Sequence, residues 1–223
     1  MTHQRQRLTR RQEYAQATRR AIVDAARQLF SQRGYFSTKV DDIAALARVA
    51  PATVYAVSGG KHELLCTLIE IWSDARTVAI NDCRSTQIED PVTVLRQVAT
   101  VCRRLREDFD DIIRAMLLTA PHDQAVSEVL ATTTAQCRQA FRPVAQHLSD
   151  LDALRDGLDV NQAVDVLWFY FGFSGFFTLR DENGWSYERA ERWLCEEASR
   201  AMLRDRSSET NRNETPSEQS SKQ

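Results

Sequence analysis

Apolar side chains recur at spacings of three and four along most of this chain, and no strand-like alternation stands against them. That periodicity predicts an all-α fold of about nine helices, a small front end followed by a larger helical body. Ile22, Ala25, Ala26, Leu29 and Phe30 form the first stripe, and Gly34 follows as a C′ residue with Tyr35 packing back. Thr38 is expected to cap the second helix, with Asp41 as its capping-box partner. That helix carries Ile43, Ala44 and Ala47 and stops near Arg48. Pro51 suits the first turn of a third helix, which Gly59 and Gly60 end.

Longer helices follow. Leu65, Leu68, Ile69 and Trp72 line a fourth, and Asp90 with Pro91 reads as the N-cap and first residue of a fifth. A short sixth holds Ile112, Ile113 and Met116 and ends at Pro121. The seventh runs from Val126 towards Leu148, kinked or cut short at Pro143. Asp159 with Gln162 caps an eighth, expected over 160–183, and Ser186 caps a ninth, expected over 186–205. Residues 206–223 carry no large apolar side chain and read as a disordered tail.

The net charge of −2 conceals an asymmetry: residues 1–62 hold eleven basic against four acidic side chains, a net +7, and the remainder is −9. A basic end on an acidic body points to a polyanion partner for that end alone. No apolar run approaches the roughly 20 residues that cross a bilayer, so no membrane partner is expected. The polar, arginine-rich start lacks the apolar stretch of a secretory leader, which makes the cytoplasm the expected location. Cys66, Cys83, Cys102, Cys137 and Cys195 are odd in number and widely spaced, as reduced cysteines in or near a core would be. A Gly-rich phosphate loop, a nucleophile elbow, a metal-ligand cluster and a paired His and acid are all lacking. Neither an enzyme nor a cofactor is expected.

The most specific signal is residues 38–65, TKVDDIAALARVAPATVYAVSGGKHELL, where two short helices and a tight turn spell a helix-turn-helix. With the preceding RAIVDAARQLFSQRGY, this stretch resembles the N-terminal domain of the tetracycline-repressor (TetR) family. The resemblance rests on Ile-x-x-Ala-Ala, Leu-Phe-x-x-x-Gly-Tyr, Asp-Ile-Ala, Thr-Val-Tyr and Lys-x-x-Leu elements in order. It implies a basic arm over 1–18, a DNA-binding domain over 19–60, and a ligand-binding and dimerisation domain over 61–205. It places double-stranded DNA against Thr38, Lys39, Ala50, Pro51, Ala52, Thr53, Tyr55 and Lys61, with residues 51–57 as the recognition helix. Arg48 stands where the family usually has Gly. Ala50, Pro51 and Ala52 offer bases no hydrogen-bonding side chain, so thymine methyls and DNA shape are expected to carry specificity. Arg5, Arg7, Arg10 and Arg11 would supply either a minor-groove arm or a solvated, disordered tail that adds non-specific charge.

For the body, the resemblance implies a homodimer joined through the last two long helices, with Gly172, Gly175, Ala190, Trp193, Leu194, Ala198 and Ala201 at the seam. It also implies a small-molecule effector, largely apolar, walled by Trp72, Arg76, Cys102, Met116, Phe141, Trp168 and Phe171. The expected function is a ligand-responsive regulator, a repressor released from a palindromic operator by its effector. The competing expectation is a helical ligand-binding dimer with weak or lost operator specificity.

Overall fold

The computed structural model describes residues 9–82 and 88–205, with side chains over 9–80 and 88–205. The expected tail at 206–223, Arg5 and Arg7 of the arm, and Cys83 lie outside those bounds. The described residues are helical, joined by short turns, with one isolated antiparallel bridge between Leu154 and Leu203. In order the helices are α1 (Arg10–Arg33), α2 (Val40–Ala47), α3 (Pro51–Ser58), α4 (Lys61–Asp82), α5 (Pro91–Thr119), α6 (Gln124–Asp150), α7 (Val160–Phe171), α8 (Phe173–Phe177) and α9 (Tyr187–Met202). The described residues form two compact units, one of 9–81 with 104–137, the other of 82 and 88–103 with 138–205. This division does not follow the boundary expected at residue 61, because it falls inside α4, α5 and α6.

In the first unit α1 starts nine residues earlier than the domain expected from residue 19, because Thr9 caps it. The Gln12 N–H donates to Thr9 Oγ1 at 3.3 Å, and the Gln12 side-chain oxygen accepts from the Thr9 N–H at 2.8 Å. Arg10 and Arg11 therefore belong to a helix and not to an extended arm. Ile22, Ile43, Val54, Leu64 and Leu65 are fully buried, and α1 packs against both α2 and α3. Each such side chain contributes about 1.5–3 kcal/mol by leaving water. Gly34 ends α1 at φ 81°, a left-handed conformation that an L side chain resists.

The expected fifth and sixth helices are one run, α5, broken locally at Phe109 (φ −134°, ψ 15°). Arg27 of α1 engages that break: its guanidinium donates to the Asp108 carbonyl, binds the Asp111 carboxylate at 2.8 and 2.9 Å, and lies 5.3 Å from the Phe109 ring centre. A side chain inserted at an interrupted hydrogen-bond ladder is a recognised cause of a helix kink.

In the second unit α6 continues through Pro143, which costs it one backbone hydrogen bond without ending it. The expected eighth helix is divided. A Cβ on Gly172 would stand 2.3 Å from the Trp168 carbonyl oxygen, and one on Gly175 would stand 2.7 Å from that of Tyr170. Only glycine fits such an approach, so the two glycines turn the chain from α7 into α8 and a wide π-turn over Thr178–Glu182. Asp159 and Ser186 cap α7 and α9 as the sequence implies. The Arg155 N–H to Met202 carbonyl bond (2.8 Å) and the Arg204 N–H to Ala153 carbonyl bond (2.9 Å) fasten the loop after α6 to the end of α9.

Candidate nucleic-acid interface

The turn between α2 and α3 sets the geometry of the helix-turn-helix. Arg48 ends α2 at φ 57°, ψ 45°, the left-handed conformation for which glycine is suited, and its N–H still donates to the Ala44 and Ala45 carbonyls. The arginine thus keeps the tight turn at the expense of backbone strain. Ala50 then takes an extended conformation as N-cap, and Pro51 opens α3 with no side-chain cap. Val54 is the buried residue of α3, anchoring that short helix in the unit's core.

This anchoring decides what α3 shows to the outside. Ala50, Pro51 and Ala52 are exposed, Thr53 is half-buried, and Tyr55 is 56% exposed. Lys39 and Arg48 are exposed beside them in sequence. The surface combines small apolar groups, one phenol and cations, which suits a base edge with methyl groups flanked by phosphates.

Two expected DNA contacts are differently placed. Thr38 is only 1% exposed, and its hydroxyl donates inward to the Gly34 carbonyl (2.8 Å) and the Leu29 carbonyl (3.3 Å). It is also not the cap of α2. Lys39 holds that position, and Asp42, one residue beyond the expected Asp41, accepts from the Lys39 N–H at 3.1 Å. The Thr38 hydroxyl points inward and ties the end of α1 to the start of α2. Lys61 is half-buried: its ammonium donates to the Tyr35 carbonyl at 3.0 Å and lies 4.3 Å from that ring's centre. Partial burial lowers its pKa. Three N–H donors allow Lys61 to keep the Tyr35 bond and still meet a phosphate. The exposed Arg48 lies outside the set expected from sequence.

The residues expected to wall an effector pocket divide between the units. In the first, Trp72, Arg76 and Met116 are buried, and the Arg76 guanidinium donates to the Cys137 carbonyl at 2.6 Å. Burial pushes the Cys137 thiol up to about 11, opposed by the nearby Arg76 and Arg106. In the second unit Cys102, Phe141 and Phe171 are buried, and the half-buried Trp168 packs edge-on against Phe173 at 5.0 Å.

The expected dimer residues also need revision. Ala190, Leu194 and Ala198 are buried within the second unit, as is Gly172, and Gly175 and Ala201 are half-buried. Their stripe faces the chain's own core, because a helix packed in a bundle buries its most apolar face there first. Of that set Trp193 alone is exposed, at 39%, and Phe169 of α7, absent from the expected set, is 72% exposed.

Comparison with known proteins follows the same lines. Residues 22–66 match the family model described as bacterial regulatory proteins, tetR family. No curated protein matches the chain. Among solved structures, the SmeT–triclosan complex superposes with a TM-score of 0.72 at 21% identity, covering 85% of this chain and 93% of that one. SmeT, described as the repressor of the Stenotrophomonas maltophilia multidrug efflux pump SmeDEF, gives 0.68 at 22%, covering 86% and 93%. The TetR-family regulator PfmR from Thermus thermophilus gives 0.65 at 18%, covering 82% and 99%. At such identities the likeness is one of fold, and the N-terminal match carries the family. Residues 22–66 thus match the N-terminal domain of the tetR family of bacterial regulatory proteins, and the chain as a whole shares the fold of these structures.

Proposed function

We propose that this regulator acts in the cytoplasm as a homodimer, binds a palindromic operator through α3, and leaves it when a small, largely apolar effector binds. The observation that carries this reading is the outer surface of the helix-turn-helix. Val54 fixes α3 by its inner side, and Ala50, Pro51, Ala52 and Tyr55 remain outside. Lys39, Lys61 and the exposed Arg48 supply cations for the phosphates on either side. Bases are read through thymine methyls and groove shape, since Ala50, Pro51 and Ala52 carry no hydrogen-bonding side chain.

Two exposed aromatics support the homodimer. Phe169 and Trp193 are costly to leave in water, and a second copy would cover both. Two recognition helices held about 34–36 Å apart then read successive turns of one face of the duplex. The effector's apolar character agrees with the buried aromatic residues of the body, and a relative of the same fold is named as a complex with triclosan. Such an effector acts by binding the non-operator conformation more tightly. Among the described residues no helix is long and apolar enough to cross a membrane.

The test is to incubate the purified protein with sheared genomic DNA near physiological salt and sequence what it retains. Enrichment of a short palindrome is expected. Retention without a shared sequence, vanishing as salt rises, would replace this reading with a ligand-binding dimer whose basic front end meets only phosphate.

A further inference from the structure

The first unit contains a cleft of about 690 Å³ between the end of α1 with the turn that follows it and the second half of α5. That volume lies within the range of small-molecule sites. One wall carries Glu107, Asp108, Asp110 and Asp111 against two guanidiniums, Arg27 and Arg114, leaving a net charge of −2 on the lining. The opposite wall is aromatic: Phe30, Tyr35 and Phe36 follow one another with ring centres 5.3 and 5.4 Å apart. At the mouth, Phe36 is 58% and Leu118 71% exposed, two apolar groups flanking an acidic opening. Thr119 also lines the cleft, fully buried, and its hydroxyl has no hydrogen-bond partner among the described residues.

We propose that this cleft is a small-molecule site for an organic cation, an amine or ammonium with an aromatic or aliphatic body. The net negative lining disfavours phosphates and carboxylates, which argues against operator DNA as its occupant. A cation has three kinds of partner here. Carboxylates attract it, aromatic faces attract it through their quadrupole, and the Thr119 oxygen accepts one of its N–H donors. The Tyr35 ring already holds one cation of the chain itself, the Lys61 ammonium. An apolar body completes the fit by covering Phe36 and Leu118, which otherwise face water. The bound cation would share Asp111 with Arg27, the residue that clasps α1 to the interrupted turn of α5. Capture of the cation needs no DNA, so the inference stands apart from operator binding.

The experiment is calorimetric titration of the full chain with 1-naphthylmethylammonium and, in parallel, with the neutral 1-naphthylmethanol of the same shape. Saturable binding of one ammonium per chain is expected, with the alcohol weaker by about tenfold or more. Two variants locate the site: the double change Glu107→Gln with Asp108→Asn, and Leu118→Ser. All three side chains are exposed, and the melting curve of each variant checks its fold. The double variant should bind the ammonium about tenfold more weakly, and Leu118→Ser several-fold more weakly. Should the double variant fail to fold, Leu118→Ser decides alone. Equal affinity for the alcohol, no saturation by millimolar ammonium, or folded variants that bind like the parent would each overturn the proposal, the last by placing the ligand elsewhere in the chain.

Discussion

Replacing Arg48 with glycine isolates the strain stored in the helix-turn-helix. At φ 57°, ψ 45° the arginine Cβ is crowded by its own backbone, which costs an L residue roughly 1–2 kcal/mol. Glycine removes that cost but brings a more flexible unfolded chain, which takes back about 0.5–1 kcal/mol. The exposed side chain buries no core surface, and the N–H bonds to Ala44 and Ala45 survive the change. The net is a gain of about 0.5–1 kcal/mol, or about 1–4 °C in melting temperature for a chain of this length. Arg48→Ala is the control, since alanine removes the same side chain and keeps the strain. Urea titration of the three proteins should rank glycine above both arginine and alanine at unchanged slope. A glycine variant no more stable than the alanine one would refute the strain argument and leave arginine as a residue the turn accepts without cost.

Other substitutions test other parts of the structure. Thr38→Val should cost about 1 kcal/mol by removing an inward hydrogen bond, while the affinity of the folded protein for its operator at fixed salt stays as in the parent; a weaker affinity would return Thr38 to the DNA surface. Arg27→Met and Asp111→Asn in a double-mutant cycle should show a coupling of about 1 kcal/mol, modest because the pair is partly solvated; zero coupling would mean that the clasp holds nothing. Cys137 is neutral in the fold up to about pH 11 and ionises near 9 once unfolded, so its contribution is intact below pH 9 and lost between 9 and 11. Cys137→Ala should therefore flatten the fall in stability across that window by up to about 2–3 kcal/mol relative to the parent, as chemical denaturation at stepped pH would measure.

How far the sequence led depends on the range over which each signal acts. The caps at Asp90, Asp159 and Ser186, the stop at Gly34 and the start at Pro51 all depend on residues three or four apart, and all stand where the pattern put them. The exposed face of α3 was legible for the same reason, since one buried valine orients eight residues. Thr38 and Lys39 differ by one position, and side-chain chemistry favours threonine as a cap; the carbonyls of Leu29 and Gly34, placed by tertiary folding, decided otherwise. The interruption at Phe109 is engaged by Arg27, more than eighty residues away in sequence. The stripe on α9 was real, but periodicity cannot say whether an apolar face meets its own chain or another.

The early start of α1 has its own consequence. From residue 10 to residue 21 every side chain is exposed except the half-buried Thr18, so these three turns draw no stability from burial within the chain. Arg10 and Arg11 in the first turn oppose the helix dipole, which leaves the Thr9 capping box, Glu13 and good helix-forming residues to hold the segment. Isolated helices of roughly 12–15 residues are marginal in water. This segment should therefore open and close on its own, exchanging its amide hydrogens long before the rest of α1 and offering proteases their first cut. A polyanion that neutralises Arg10, Arg11, Arg19 and Arg20 would remove the opposing charge, and the bound state would be recorded as slowed amide exchange along a helix that touches little else.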